Sequence, residues 1–266
     1  MFERWKRYKI QKYSKELIEL CRKNYTNLND MEYAASRIET LINKGADINC
    51  VDIYYSVTNM SPLLHASAHN NYIIVEKLLK LGADVQYKDT LGENAIAKCM
   101  STSFNINTLV ALVDKGADIN SQDIYGKTPL HYECEKFYNH TVELLMTYGA
   151  NANIQDKDGY TPLHIVINTT NACCRMAGNT KHSWYAKHAI QVIETLLTGS
   201  TRPGYNADPN IRDNGGNTPL DLQINNDGNR AISYVMIKAG AVPTSKEIDE
   251  DMYERSAKVA YDQLED

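Results

Sequence analysis

A short phrase returns along this chain at a nearly constant interval. It reads LINKGADIN at 41–49, LLKLGADVQ at 78–86, LVDKGADIN at 112–120 and LLMTYGANAN at 144–153. Worn copies follow, NADPN at 206–210 and IKAGAV at 237–242. A second phrase alternates with the first: SPLLHA at 61–66, TPLHYE at 128–133, TPLHIV at 161–166 and TPLDLQ at 218–223. From Gly82 to Gly116 is 34 residues and from Gly116 to Gly149 is 33. Self-similarity at this period demands stacked units that share a continuous core, because one unit alone cannot bury its apolar face. Stacks of this kind are surfaces for holding other macromolecules more often than they are reaction vessels.

Residues 123–155 show why the unit takes these amino acids. Asp123 and Gly126 of DIYG suit a tight turn. Thr128 caps a helix, and Pro129 takes its first position, where a missing N–H costs nothing. Leu130 faces inward, and a second helix carries Val142, Leu144 and Leu145 on its apolar side. Gly149 stops that helix by adopting a left-handed conformation. The chain then turns out toward the next Asp156.

TPLH, a helix pair and LLxxGADxN in register resemble the ankyrin repeat over about residues 30–243. The resemblance implies an all-α solenoid of about six repeats with helical caps. Residues 1–266 then form a single domain. Residues 1–51 are an N-terminal cap with helices near 6–23 and 30–44, and residues 52–243 hold the repeats. Residues 244–266 form a C-terminal capping helix opened by the box Thr244-Ser245-Lys246-Glu247. The second unit is stretched by four residues between Asp52 and Ser61, and the third carries NAIA in place of TPLH. The fifth unit, 156–212, is too long by 24 residues and is expected to extend both of its helices around a turn at Gly178-Asn179-Thr180. Long insertions in regular repeats map to one face, often a functional one.

Net charge is −5, so a general nucleic-acid footprint is absent. No run of 18 apolar residues spans a membrane, and the charged start MFERWKRYKIQKYSK is no secretory signal. Six cysteines without disulfide or metal spacing read as reduced thiols in a cytosol-like compartment. No metal or cofactor is expected. Residues 1–23 hold eight bases against three acids, whereas 244–266 hold eight acids against three bases. A monomer is expected, although such opposite ends would also suit head-to-tail association.

His131 and His164 of TPLH are read as hydrogen-bonding groups of the stack, as the ankyrin resemblance implies. Cys99 and Cys134 occupy small buried helix positions. Cys173, Cys174, His182 and His188 cluster in the insertion, but adjacent cysteines are not a metal-ligand pair. The stronger lead is a row of aromatic and polar residues on the concave face that ankyrin proteins present. Here that row is Tyr54 and Tyr55, Leu91, Tyr125 with Lys127, and Tyr160, with Glu135, Lys136, Asn168 and Thr169 on the inner helices. Trp184 and Tyr185 add exposed anchors in the insertion, since large rings bury much area with few torsions.

The expected function is a non-catalytic scaffold that holds a protein partner. Stand-alone size and an Asn-, Lys-, Ile- and Tyr-rich composition resemble ankyrin effectors of intracellular bacteria, secreted into a host cytosol by a dedicated, non-classical system. A poxviral ankyrin protein is the alternative source, against which stands the absence of an F-box-like segment at the C-terminus. Two other readings are an enzyme built on the 168–206 insertion and an adaptor that lays its basic N-terminal helix on a membrane surface.

Ankyrin domains resembling this one are substrates of an asparaginyl hydroxylase that prefers leucine, five residues, an acid, an aliphatic residue and asparagine. Leu41 to Asn49 and Leu112 to Asn120 fit, whereas Gln86 and Asn151 break the pattern in their own units. Expression in animal cells is expected to yield partial oxidation of about 16 Da at Asn49 and Asn120. Peptide mass spectrometry beside the active hydroxylase reads this out, and two fully unmodified asparagines would refute it.

Overall fold

A computed structural model describes residues 2–53, 57–100, 105–177, 182–225 and 229–243, with Lys258 alone beyond them. Twelve α-helices and no strand occur among these residues. The chain divides into two compact units, Met1–Ile124 and Tyr125–Asp266.

The first unit holds α1 (Phe2–Cys21), α2 (Leu28–Asn43), α3 (Pro62–Ala68), α4 (Tyr72–Lys80), α5 (Ala95–Met100) and α6 (Ile106–Asp114). Successive helices pair, and the pairs stack in two rows: α1, α3 and α5 in one, α2, α4 and α6 in the other. The second unit repeats the plan with α7 (Pro129–Glu135), α8 (Asn139–Thr147), α9 (Pro162–Ala177), α10 (His182–Thr198), α11 (Pro219–Asn225) and α12 (Arg230–Lys238). There α7, α9 and α11 make the inner row and α8, α10 and α12 the outer. The core is a file of small and branched residues between the rows. In the second unit Leu130, Val142, Leu145, Leu163, Ile193, Leu196 and Leu220 are all fully buried. Leu144, expected beside them, is only half-buried. Cys99 and Cys134 are fully buried as expected.

Local chemistry sets the boundaries. Asn27 caps α2 by accepting from the Asp30 N–H at 2.8 Å, and Ser61 caps α3 by accepting from Leu64 at 3.3 Å. At the turns an aspartate folds the chain over its own carboxylate. Asp89 Oδ1 accepts from Leu91 and Glu93, and Asp156 Oδ1 accepts from Asp158 and Tyr160, all within 3.0 Å. Each tip then hangs on the next by one backbone bond, as Lys157 N–H to Tyr125 O at 3.0 Å and Asn214 N–H to Asp158 O at 3.1 Å show.

The extended fifth repeat is present. α9 has 16 residues and α10 has 17, against 7 in α7 and 9 in α8. The turn expected at 178–180 and the capping helix expected over 244–266 lie outside the described residues, apart from Lys258. The extension has a correlate in the unit before it. Asn70 follows α3 with a positive φ of 51°, and Phe137 follows α7 with a φ of 56°. Asparagine tolerates that region, but a bulky aromatic residue rarely enters it. Phe137 is buried, with its ring centroid 6.4 Å from that of Tyr185 on α10.

Two glycines in the left-handed region separate backbone strain from steric clash. Gly116 has φ +84° and nothing within 4 Å of an added Cβ, whereas Gly159 has φ +80° and an added Cβ would meet Asn214 N at 2.5 Å. Gly116→Ala is expected to cost about 1–2 kcal/mol from backbone strain alone. Gly159→Ala should cost clearly more, because backbone cannot swing aside as a side chain can. Chemical denaturation of the two variants measures the difference, and equal losses would contradict it.

Candidate partner-binding groove

The bonds that join one repeat to the next also determine what the inner surface shows. Thr128 donates to His131 Nδ1 from its N–H at 3.1 Å and lies 2.8 Å away through its hydroxyl. With Nδ1 accepting, Nε2 must carry the proton, and it donates to Tyr160 O in the next turn at 3.0 Å. Thr161 and His164 repeat the arrangement, and His164 Nε2 reaches Asn217 O at 3.2 Å. In the sixth pair Asp221 stands at the histidine's place and accepts both threonine bonds at 2.9 Å. The second repeat departs from the pattern: Leu64 holds the histidine's position in SPLLHA. His65 lies one residue on, buried 3.1 Å from Asp52 Oδ2.

The expected site residues fall into separate groups. In the second unit Lys127, Glu135 and Tyr160 come together with Asn168 and Thr169 around an open groove of about 490 Å³. Asp156, Asp158, Ile165, Ala172 and Cys173 complete its walls. Ile165, Asn168, Thr169 and Ala172 recur at i, i+3, i+4 and i+7, so they form one stripe of α9. Lys127 Nζ lies 3.5 Å from Glu135 Oε2 and 5.3 Å from the Tyr132 ring centroid. Tyr160 is half-buried, its ring 5.8 Å from that of His164, so it packs as well as lines the groove. Tyr125 on the turn tip is 59 % exposed.

Lys136 is turned toward the buried Glu133, 2.8 Å away, and caps α7. Trp184 and Tyr185 stand on the outer row at the start of α10, not with the groove. Trp184 is exposed, stacks on His188 at 4.0 Å and meets Tyr185 edge-on at 5.0 Å. Leu91 lies at a turn tip of the first unit, part-exposed. Tyr54 and Tyr55 lie outside the described residues.

Of the two adjacent cysteines, Cys174 takes on little reactive character. Cys173 and Cys174 are half-buried, and burial raises the Cys174 thiol above its ordinary range, which disfavours the thiolate. Among the described residues, no three His, Cys, Asp or Glu side chains gather as a metal site. Asn49 is exposed, and its Oδ1 accepts from the Asp84 N–H at 2.9 Å. Gln86, which replaces asparagine in the next unit, bridges with its longer side chain to Gly116 O at 2.7 Å.

The matched family models are ankyrin repeats, one over residues 58–90 and a three-copy model over 97–179. An ankyrin repeat protein of fowlpox virus is 32 % identical over 189 residues, covering 68 % of this chain and 48 % of the viral one. Another from the same virus is 29 % identical over 123 residues, 35 % of this chain and 18 % of the relative. The chain thus spans less than half the length of either viral relative. The crystal structure of an ankyrin repeat domain from Acinetobacter baumannii superposes with a TM-score of 0.63 at 25 % identity, covering 80 % of this chain and 95 % of that domain. With the helix-pair geometry, these matches make the chain an ankyrin-repeat protein. No described helix is long and apolar enough to cross a membrane.

Burial lowers the pKa of His164 and His65 below the ordinary histidine value, so both fold as neutral rings. Between the depressed folded pKa and about 6.5 the unfolded chain binds more protons, so stability falls as pH drops through that window. Glu133, raised by burial, acts in the opposite sense at lower pH. The melting temperature is expected to decline from pH 7.5 toward pH 5.5, and His164→Gln should flatten the slope. A wild-type melting temperature constant across this range would contradict the neutral-ring assignment.

Proposed function

We propose that this protein is a non-catalytic interaction scaffold that holds a protein partner in the inner groove of its second unit. The observation that carries the reading is the meeting of Lys127, Glu135 and Tyr160 with the α9 stripe around one open groove. Ankyrin repeats typically serve as protein-interaction modules. The groove has an apolar strip in Ile165, Ala172 and Cys173, and its one lysine lies 3.5 Å from Glu135 in a wall that also includes Asp156 and Asp158. A partner segment with a basic side chain beside an apolar one matches that wall. Tyr125 extends the surface, and Trp184 with Tyr185 offers a second contact on the outer row.

The cellular setting belongs to the same proposal. The resemblance to bacterial ankyrin effectors and the viral relatives support a host protein as the partner, met in the cytosol. The enzymatic reading has weaker support, since Cys174 is held as a thiol.

Ala172 is exposed on the stripe, so Ala172→Arg should occupy the groove and repel a basic ligand while leaving the melting temperature nearly unchanged. Tyr125→Ala should weaken binding by about 1–2 kcal/mol. Quantitative mass spectrometry of proteins retained from host-cell lysate by each variant is the measurement. An identical bound set on the wild type and Ala172→Arg would remove the groove from the proposal.

A further inference from the structure

The first unit carries a second groove. It holds about 570 Å³ between α1 and the turn at Asp47–Ile53. Its floor includes Ile18 and Cys50, and the Asp47 N–H bonds to Ser14 Oγ at 3.0 Å to hold the turn against the helix. Tyr8 and Ile53 stand at its edges, 64 % and 62 % exposed. Exposed Lys12 and Lys15 line the same groove. A terminal helix pair is expected to turn a polar face outward. Here α1, which packs on α2 and α3, instead leaves an apolar trough with Lys12 and Lys15 on its helix side and the exposed Asp47 on its turn side.

The sequence contains a segment with the complementary character. Residues 244–266 hold eight acids against three bases, and Ile248, Met252 and Val259 recur at helical spacing among them. An acidic strip with one apolar side suits an apolar groove with lysines on its helix side, the helix-in-groove mode of recognition. We propose that the α1 groove receives the acidic 244–266 segment of a second copy of this chain. The contact is heterologous, because the groove and the segment are different surfaces. It therefore propagates from copy to copy unless the geometry closes a ring.

The test uses the full chain in sedimentation velocity over a range of concentrations at about 50 mM and about 500 mM salt. Mass should grow past the dimer at low salt and return to the monomer at high salt. A synthetic peptide of residues 244–266 should dissolve the assemblies. Lys12→Glu with Lys15→Glu, and separately Ile53→Glu, should each weaken association by about tenfold or more, with unchanged circular dichroism. A monomer at every concentration would overturn the proposal, as would association indifferent to peptide and variants. Binding of the full chain to anionic vesicles, unaffected by the peptide, would reassign Lys12 and Lys15 to a membrane surface and likewise overturn it.

Discussion

No helix pair here can stand by itself. α7 has seven residues and α8 has nine, well below the length at which an isolated helix persists in water. Their stability comes from neighbours, so the contacts that join repeat to repeat carry the fold. The Thr–His pair is one such joint. Nδ1 accepts within the repeat and Nε2 donates to the next, so one imidazole closes a helix start and fastens the following turn. The asparagine of the GADxN phrase is the second joint. It bridges from Asn49 to Asp84, from Asn153 to Asp208 and from Asn210 to Val242. Between these joints the core needs only small or branched side chains.

The fold was legible because its determinants are local. Proline at the first helical turn, glycine after the last and aspartate in the tip each act on backbone within a few residues. Where function depended on register between repeats, the sequence was less informative. Lys136 looked like an inner-face residue, but a buried carboxylate on its own helix draws it back. Tyr160 looked like an exposed tip, but its ring packs on His164. Trp184 and Tyr185 were expected as anchors in the insertion, and their helix sets them on the outer row, apart from the groove. The α9 stripe did have a signal: TPLH places the helix start, and the three–four spacing of Ile165, Asn168, Thr169 and Ala172 follows from it. What could not be read was which residues face it across the groove, since that depends on how the α7 turn overlies the α9 turn.

The fifth repeat shows how a regular stack accommodates an irregular unit. Lengthening α9 and α10 gives new aromatic surface at the start of α10. The preceding repeat adapts with Phe137, a residue ill suited to its backbone conformation but placed beside Tyr185. Strain of this kind is tolerated where surrounding packing over-determines it. The outer row thereby gains an aromatic cluster in Trp184, Tyr185 and His188, while the inner row gains the longer α9.

Asp221 gives the stack a direction. It accepts the two threonine bonds that a histidine would, so its own helix begins normally. An ionised carboxylate has no N–H to hand to a following turn. The joint that links α7 to the next repeat, and α9 to the one after, cannot be made again from this residue. A unit stacked beyond it would be held without that bond, as α5 is held beside α3, where Leu64 stands at the same position. A single change from imidazole to carboxylate thus keeps the closure of the helix start and gives up the tie to the turn beyond it.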